Sequence, residues 1–158
     1  MEGLISDKIY ENQGLINRIC YSFCSDEDDR KDLFQEIVYR ILKSYSGFNN
    51  QSSFSTWLYR VALNTAITYK KKKPLTYNSE RIENHEGLTD DRDLHGEIET
   101  LYRAIDRLNR IDRAIILLYL EEHSYREISE ITGFTVKNIS VKIVRIKAKL
   151  TEIYGSLI

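Results

Sequence analysis

The segment from Tyr125 to Leu150 constrains the fold more than any other part of the chain. A short helical pattern in it stops at a helix breaker, Thr132-Gly133, and a longer helical pattern opens at Thr135. Glycine commonly ends helices because it adopts a left-handed backbone without steric cost, and threonine is favoured at helix starts. Two helices joined by so short a turn are typical of a helix-turn-helix.

The longer helix of this pair separates its apolar and basic residues. Its branched apolar residues recur at steps of four, three and four and form one stripe: Ile139, Ile143, Ile146 and Leu150. The candidate DNA contacts lie largely on the other faces, and they are Thr135, Lys137, Asn138, Lys142, Arg145 and Lys149. A helix that reads the major groove needs this division, since the stripe fixes its angle while long donors reach phosphates and bases. A solvated amphipathic helix would show the same pattern, so the preceding short helix and turn favour DNA binding.

Apolar residues recur with a helical period elsewhere too, and strand-like alternation is lacking. The chain has 158 residues with one proline and seven glycines, which fits a helical globular protein. We expect an all-α fold of two small helical domains, residues 1–74 and 97–158. The flexible, acidic linker between them is predicted at residues 75–96, where periodicity is weak.

Several helix ends can be assigned from residue types. The acidic cluster Ser25–Asp29 is predicted to supply an N-cap and a first turn. Ser53 or Ser55 can cap the third helix, which we expect to end in the four lysines before Pro74. Asp112 can cap a later helix. At the N-terminus the pattern indicates one helix or a pair of helices.

The third helix carries a second set of residues suited to nucleic acid. Four polar residues share one face of it: Thr56, Arg60, Asn64 and Lys71. Arg60 and Asn64 are of the types that hydrogen-bond to bases, and the lysine block that begins at Lys70 can hold phosphate. Phe54 and Trp57 could stack on unpaired bases, or they could be core aromatics.

Composition excludes several classes of function. The formal net charge is −1, which argues against a protein that coats DNA by bulk electrostatics. No apolar run approaches the roughly 20 residues of a membrane span. The N-terminus is charged and unlike a signal peptide, so a cytoplasmic location is expected.

The sequence offers no set of groups for catalysis or for metal binding. Cys20 and Cys24 are expected to be buried apolar residues without a disulfide, because their spacing on a helix does not bring the sulfurs together. His85, His95 and His123 show no metal-ligand spacing. We therefore expect no enzyme activity, no cofactor and no metal site.

Three stretches, in order, resemble the extracytoplasmic-function (ECF) sigma factors of bacterial RNA polymerase. They are DLFQEIVYRIL, FSTWLYRVALNTAITYKKKK and the region AIDRLNRIDRAIILLYLEEHSYREISEITGFTVKNISVKIVRIKAKL. The resemblance covers nearly the whole chain. It implies a non-enzymatic factor for promoter-specific initiation that binds the clamp and flap of the polymerase core, promoter DNA and an anti-sigma factor. It also implies a monomer when the factor is free, and no membrane insertion.

The resemblance further implies roles for individual residues. In the clamp-contact motif it covers Asp32, Leu33, Gln35 and Glu36, and Tyr39 and Arg40 continue the same polar face. Asn64 matches a position that meets the −10 element. The loop 47–53 matches the loop that takes up a flipped base, and its candidates are Asn49, Asn50 and Gln51. Lys142 and Arg145 match positions that face the −35 element.

Two other functions remain open from the sequence. A dimeric helix-turn-helix regulator would bind palindromic half-sites by itself, about one helical turn apart. A helical adaptor would contact only proteins and would not use Arg60, Asn64 and the lysine block.

Overall fold

In a computed structural model, which describes residues 2–70 and 92–158, the regular elements are all helices. The all-α prediction is therefore confirmed for these residues. The chain divides into two compact units, Met1–Leu75 and Thr76–Ile158. No helix in either described range is both long and apolar enough to cross a bilayer. Residues 75–91 of the predicted linker lie outside the described residues.

Four α-helices form the described part of the first unit. They are α1 (Glu2–Glu11), α2 (Gln13–Phe23), α3 (Glu27–Ser44) and α4 (Phe54–Thr68), with a 3₁₀ turn at Tyr45–Gly47 between the last two. The sequence left one N-terminal helix or a pair open, and the structure has a pair, separated at Asn12. α2, α3 and α4 pack on one another around fully buried residues: Ile16, Leu33, Ile37, Ile41 and Leu58.

Side-chain caps begin the two helices that flank the 3₁₀ turn. The Asp26 carboxylate accepts a hydrogen bond from the Asp29 N–H at 3.2 Å, as the acidic cluster predicted for α3. At α4 the Ser53 hydroxyl accepts from the Thr56 N–H at 3.1 Å. The prediction for the far end of α4 was wrong, because the helix stops at Thr68, before the lysines. Three of the four residues in its last turn, Thr65, Ile67 and Thr68, are β-branched, and such residues are poor helix formers.

Both cysteines lie in the first core. Cys20 and Cys24 are free thiols and are buried, as the sequence indicated. Burial, and to a lesser extent the neighbouring Cys24, raises the pKa of the Cys20 thiol to about 12. The raised pKa keeps this thiol protonated near neutral pH, and only the thiolate is reactive. Cys20 is therefore a packing residue.

The second unit contains α5 (Arg92–Asp106), α6 (Arg110–Leu120), α7 (Tyr125–Thr132) and α8 (Val136–Leu157). α5 begins within the segment that was predicted as a linker. The glycine at position 96, expected to mark the end of that linker, lies inside the helix and does not interrupt it. α8 packs against the other three helices. The largest fully buried side chains here are Ile105, Ile115, Leu118, Ile128 and Ile139.

The cap of α6 differs from the prediction. Asn109, not Asp112, is the N-cap, and its side-chain oxygen accepts from the Asp112 N–H at 2.8 Å. The Asn109 amide also donates to the Asp112 carboxylate at 3.1 Å. Asp112 thus lies in the first turn, where the positive end of the helix dipole stabilises a carboxylate.

Candidate nucleic-acid interface

Side chains on both sides fix the turn between α7 and α8. Ser124 caps α7 in a reciprocal box: its hydroxyl accepts from the Glu127 N–H at 3.1 Å, and the Ser124 N–H donates to the Glu127 carboxylate at 3.3 Å. After the turn, the Thr135 hydroxyl accepts from the Asn138 N–H at 3.1 Å and caps α8. Each cap satisfies a backbone donor that the helix start leaves unpaired, so both helices have defined beginnings.

Gly133 sets the direction of the chain between these two helices. Its φ of 86° lies in the left-handed region, and its N–H donates to the Ser129 carbonyl at 2.9 Å. The Ser129 hydroxyl crosses the turn and donates to the Phe134 carbonyl at 2.6 Å. A Cβ at Gly133 would meet no atom within 4 Å, so backbone strain is what favours glycine there. The angle of α8 therefore depends on this one residue and its neighbours.

α8 buries the stripe that the sequence predicted and exposes the opposite face. Ile139, Ile143, Ile146 and Leu150 are all buried. The exposed residues on and beside the opposite face are Lys137, Asn138, Val141, Val144, Arg145 and Ala148. The predicted contacts Lys137, Asn138 and Arg145 thus lie where a DNA duplex can reach them.

Three basic residues of α8 are engaged by side chains of the same unit. Lys142 lies over the Phe134 ring, 4.7 Å from its centroid. The Lys149 ammonium is 3.4 Å from the Asp112 carboxylate. Lys147 donates to the Tyr119 hydroxyl at 2.7 Å, and this bond raises the pKa of Lys147. Lys142 and Lys149, both predicted as DNA contacts, are therefore partly committed to positioning α8.

Sequence reasoning missed the two valines on the exposed face of α8. The search for donors passed over Val141 and Val144, although neither fits the spacing of the buried stripe. That mismatch was the signal in the sequence, since an apolar residue outside the stripe has no core to enter.

In the first unit the loop before α4 carries three exposed amide side chains, and a group of aromatic rings adjoins this loop in the sequence. Asn49, Asn50 and Gln51 are all exposed, and Asn50 has a left-handed φ of 59°. The Asn49 side-chain oxygen accepts from the Gln51 N–H at 3.3 Å. We call the four half-buried rings beside this loop the aromatic cluster: Tyr45, Phe48, Phe54 and Trp57. The three exposed amides therefore lie between two members of this cluster, Phe48 and Phe54, along the chain.

The aromatic cluster is tightly associated and includes a cation from another helix. The centroids of Phe48 and Trp57 are 5.2 Å apart, and those of Phe54 and Trp57 are 5.6 Å apart. Lys8 of α1 lies over the Phe54 ring, 4.8 Å from its centroid. Nothing in the local sequence of α1 indicated this contact, which depends on how the N-terminal helix packs.

The polar face of α4 continues from the aromatic cluster. Thr56, Arg60 and Asn64 follow at four-residue spacing, and neighbouring residues at that spacing share a helix face. Asn64 is exposed and Arg60 is half-buried. Lys70 is exposed beyond the end of the helix, and Lys71 lies outside the described residues.

Five of the six predicted polymerase contacts are accessible on α3. Asp32, Gln35, Tyr39 and Arg40 are exposed, and Glu36, half-buried, pairs with Arg40 at 3.0 Å. Leu33 is the exception, because it is completely buried with the core stripe of α3. It can support this face through packing, but as it stands it cannot touch a partner.

Two family models match the chain, one in each unit. The model described as Sigma-70 region 2 matches residues 9–74, and the model described as Sigma-70, region 4 matches residues 98–150.

Two of the curated relatives match along most of their length. The ECF RNA polymerase sigma factor SigW of Bacillus subtilis is 30% identical over 90% of this chain and 80% of its own. RNA polymerase sigma factor SigV of the same bacterium is 30% identical over 81% of this chain and 77% of its own.

Solved structures share the fold at lower identity. CnrH, in complex with the cytosolic domain of CnrY, matches with a TM-score of 0.66 and 18% identity over 99% of this chain and 90% of that one. The sigma factor RpoE, in complex with the anti-sigma factor NepR from Bartonella quintana, matches with a TM-score of 0.64 and 16% identity over 96% of each chain.

Proposed function

Because the chain belongs to the ECF sigma factors of RNA polymerase, we propose that it directs the core enzyme to promoters through two separate DNA-contacting surfaces. The observation that carries this proposal is the presence of both matched regions in one chain, in order, each with a candidate interface. The comparisons give no support to a stand-alone dimeric regulator.

The exposed face of α8 is the proposed reader of the −35 element. The side chains of Lys137, Asn138 and Arg145 can reach phosphates and base edges when the helix enters the major groove. Lys142 and Lys149 lie at its flanks, where ammonium groups held by Phe134 and Asp112 still add positive potential. Thr135 contributes by capping the helix that enters the groove.

The loop 49–51 and the polar face of α4 are the proposed contacts to the −10 element. A base that leaves the duplex must have its stacking and hydrogen bonds replaced, since extrusion costs a few kcal/mol. The aromatic cluster offers an apolar surface, and the amides of Asn49, Asn50 and Gln51 offer donors and acceptors beside it. Arg60 and Asn64 extend the contact along the strand, and Lys70 and Lys71 supply charge for phosphates.

The exposed polar residues of α3 are the proposed contact to the clamp of the polymerase core. Asp32, Gln35, Glu36, Tyr39 and Arg40 form this face, and it mixes both charges with one exposed ring. The second unit is proposed to contact the flap.

The near-neutral charge of the chain fits a subunit that works inside a larger assembly. Binding to duplex DNA depends strongly on the number of phosphates that a protein neutralises. With a net charge of −1, the free chain is expected to bind duplex DNA poorly at physiological salt. The core enzyme then supplies most of the attraction, while this chain supplies discrimination.

Two further partners follow from the proposal. Since CnrH and RpoE were each solved with a partner, and NepR is named as an anti-sigma factor, we expect an anti-sigma factor for this chain. We also expect a monomer when the chain is free. As a polymerase subunit it would work in the cytoplasm, alongside the chromosome.

The test reconstitutes initiation with the full chain and sigma-free core RNA polymerase. Sequencing the 5′ ends of the transcripts should reveal starts downstream of a common pair of promoter elements. Asn64→Ala should lower initiation by about tenfold, as expected for a lost base contact. The control is Asn17→Ala, which changes an exposed asparagine of α2 that has no proposed role and should leave initiation unchanged.

Two outcomes would count against the proposal. Failure to start at specific sites with any closely related core enzyme would reject it. Tight, sequence-specific DNA binding by the purified chain, together with a dimer in gel filtration, would favour the stand-alone regulator instead.

A further inference from the structure

Two valines on the exposed face of α8 lie outside its buried stripe. Val144 is 67% exposed and Val141 is 42% exposed. The core contact of the same part of the helix is made by Ile139, Ile143 and Ile146, all buried.

Helix stability does not explain these valines either. Valine is β-branched, and its restricted side chain makes it a poorer helix former than alanine, lysine or arginine. The exposed part of each isopropyl group also gains nothing from burial while the chain is free. Almost any polar, straight-chain residue would suit positions 141 and 144 better if the face only met water.

The valines lie at the centre of the proposed −35 surface. Val141 follows Lys137 by four residues and precedes Val144 by three, so these side chains are neighbours on one face. Arg145 follows Val141 by four residues and borders the same patch. Two methyl-bearing side chains are thus flanked by a lysine and an arginine, an arrangement complementary to an anionic duplex with an apolar feature in its groove.

Among the four bases of DNA, only thymine presents a methyl group in the major groove. An aliphatic side chain can pack on that methyl, but it cannot satisfy the donors and acceptors of the other base edges. Since residues three apart on a helix have Cβ atoms about 5–6 Å apart, the two valines are spaced to reach neighbouring base pairs.

From this geometry we propose that Val141 and Val144 read thymine methyl groups at neighbouring positions of the −35 element. The inference rests on the proposed function, because it requires α8 to enter the major groove. It adds a definite property of the promoter, a thymine on either strand at each of the two positions.

The first step of the test identifies the preferred element. The full chain and sigma-free core enzyme transcribe a library of templates randomised upstream of the start, and transcript sequencing gives the preferred bases. Deoxyuridine, which differs from thymidine only by the missing methyl, then replaces each thymine of the −35 element in turn. Two neighbouring replacements should each lower initiation by about fourfold, the value for one buried methyl group.

The second step links each methyl to a side chain. In Val144→Ala, deoxyuridine at one of the two positions should no longer have an effect, and Val141→Ala should do the same at the other. Both variants should fold at least as well as the parent, since alanine is the better helix former. Ile158→Ala, which changes the exposed residue directly after α8, should retain both deoxyuridine effects.

The outcomes separate this inference from the proposed function. If promoter-specific initiation occurs but no thymine methyl affects it, or if both effects persist in the valine variants, the inference is overturned and the sigma function stands. If the variants lose initiation equally on thymine and deoxyuridine templates, the valines contact a protein surface instead. If no specific initiation occurs at all, the proposed function itself fails.

Discussion

The loop 49–51 of the first unit and the exposed face of α8 in the second hold their contact groups in different ways. The loop displays short amides beside a half-buried aromatic cluster, and Asn50 maintains a left-handed backbone there. The α8 face displays long cations and two valines on a regular helix with a deep isoleucine stripe.

This difference matches what each surface is proposed to bind. An unpaired base offers a flat ring and a hydrogen-bonding edge, which aromatic and amide groups can meet. A duplex offers groove edges at regular spacing and phosphates on either side, which a rigid helix meets best. The first surface therefore depends on the shape of a loop, and the second on the position of a helix.

The largest expected effect concerns the support of α8. Ile143→Ala removes a completely buried side chain from the second core and should destabilise that unit by about 2–4 kcal/mol. Trp57 is the only tryptophan of the chain, so its fluorescence reports the first unit, while circular dichroism reports the helices of both. We expect an early transition by circular dichroism and an unchanged transition by fluorescence.

Val141→Ala is the matched control for this measurement, because it shortens an exposed side chain on the same helix. Its thermal transition should be close to that of the parent. An equal shift of the fluorescence transition in Ile143→Ala would show that the two units unfold together. The loop surface and the helix surface would then not be supported independently of each other.

The next effect concerns the loop, where backbone shape and side-chain chemistry can be separated at Asn50. Glycine adopts a φ of 59° without strain, whereas alanine in the left-handed region is strained by about 1 kcal/mol. Asn50→Ala should therefore destabilise the first unit, measured by Trp57 fluorescence, and Asn50→Gly should not. Both variants lack the amide, so each should lower initiation by about fivefold, which is within the range expected for one lost hydrogen bond.

A different result at this position would change the account of the loop. If Asn50→Gly initiates as well as the parent while Asn50→Ala does not, the amide is dispensable and the loop acts through its shape alone.

Periodicity was enough to predict the helix-turn-helix and the buried stripe of α8, because both depend on residues close in sequence. The sequence could not predict which lysines of α8 are engaged by other side chains. Lys149 is engaged by Asp112 and Lys147 by Tyr119, and both partners lie far away along the chain. The contact of Lys8 with Phe54 was hidden for the same reason.

The N-cap of α6 was predicted wrongly for a different reason. Asn109 and Asp112 are both favoured cap residues, and their spacing of three lets one cap and the other occupy the first turn. Only the geometry, in which the Asp112 N–H donates to Asn109, identifies the cap.

The smallest expected effect compares a helix cap in each of the two regions proposed to contact DNA. Ser53 caps α4 with Thr56 at the third helical position, whereas Ser124 caps α7 with Glu127 there. Hydrogen bonding to His123, and then to Ser124, lowers the pKa of Glu127 from its ordinary value of 4.5. Glu121 lies 3.6 Å from the same imidazole.

Only the α7 cap should therefore respond to acid. A carboxyl whose pKa is lowered by folding stabilises the folded state above its unfolded value, and this contribution is lost as the pH falls through the folded pKa. Between about pH 6 and pH 3, Glu127→Gln should flatten the acid dependence of the second unit's melting temperature, measured by circular dichroism. Ser53→Ala should cost the first unit about 1 kcal/mol with little change over this range, measured by Trp57 fluorescence. Identical acid slopes for Glu127→Gln and the parent chain would show that the carboxylate at this cap contributes nothing beyond its neutral isostere.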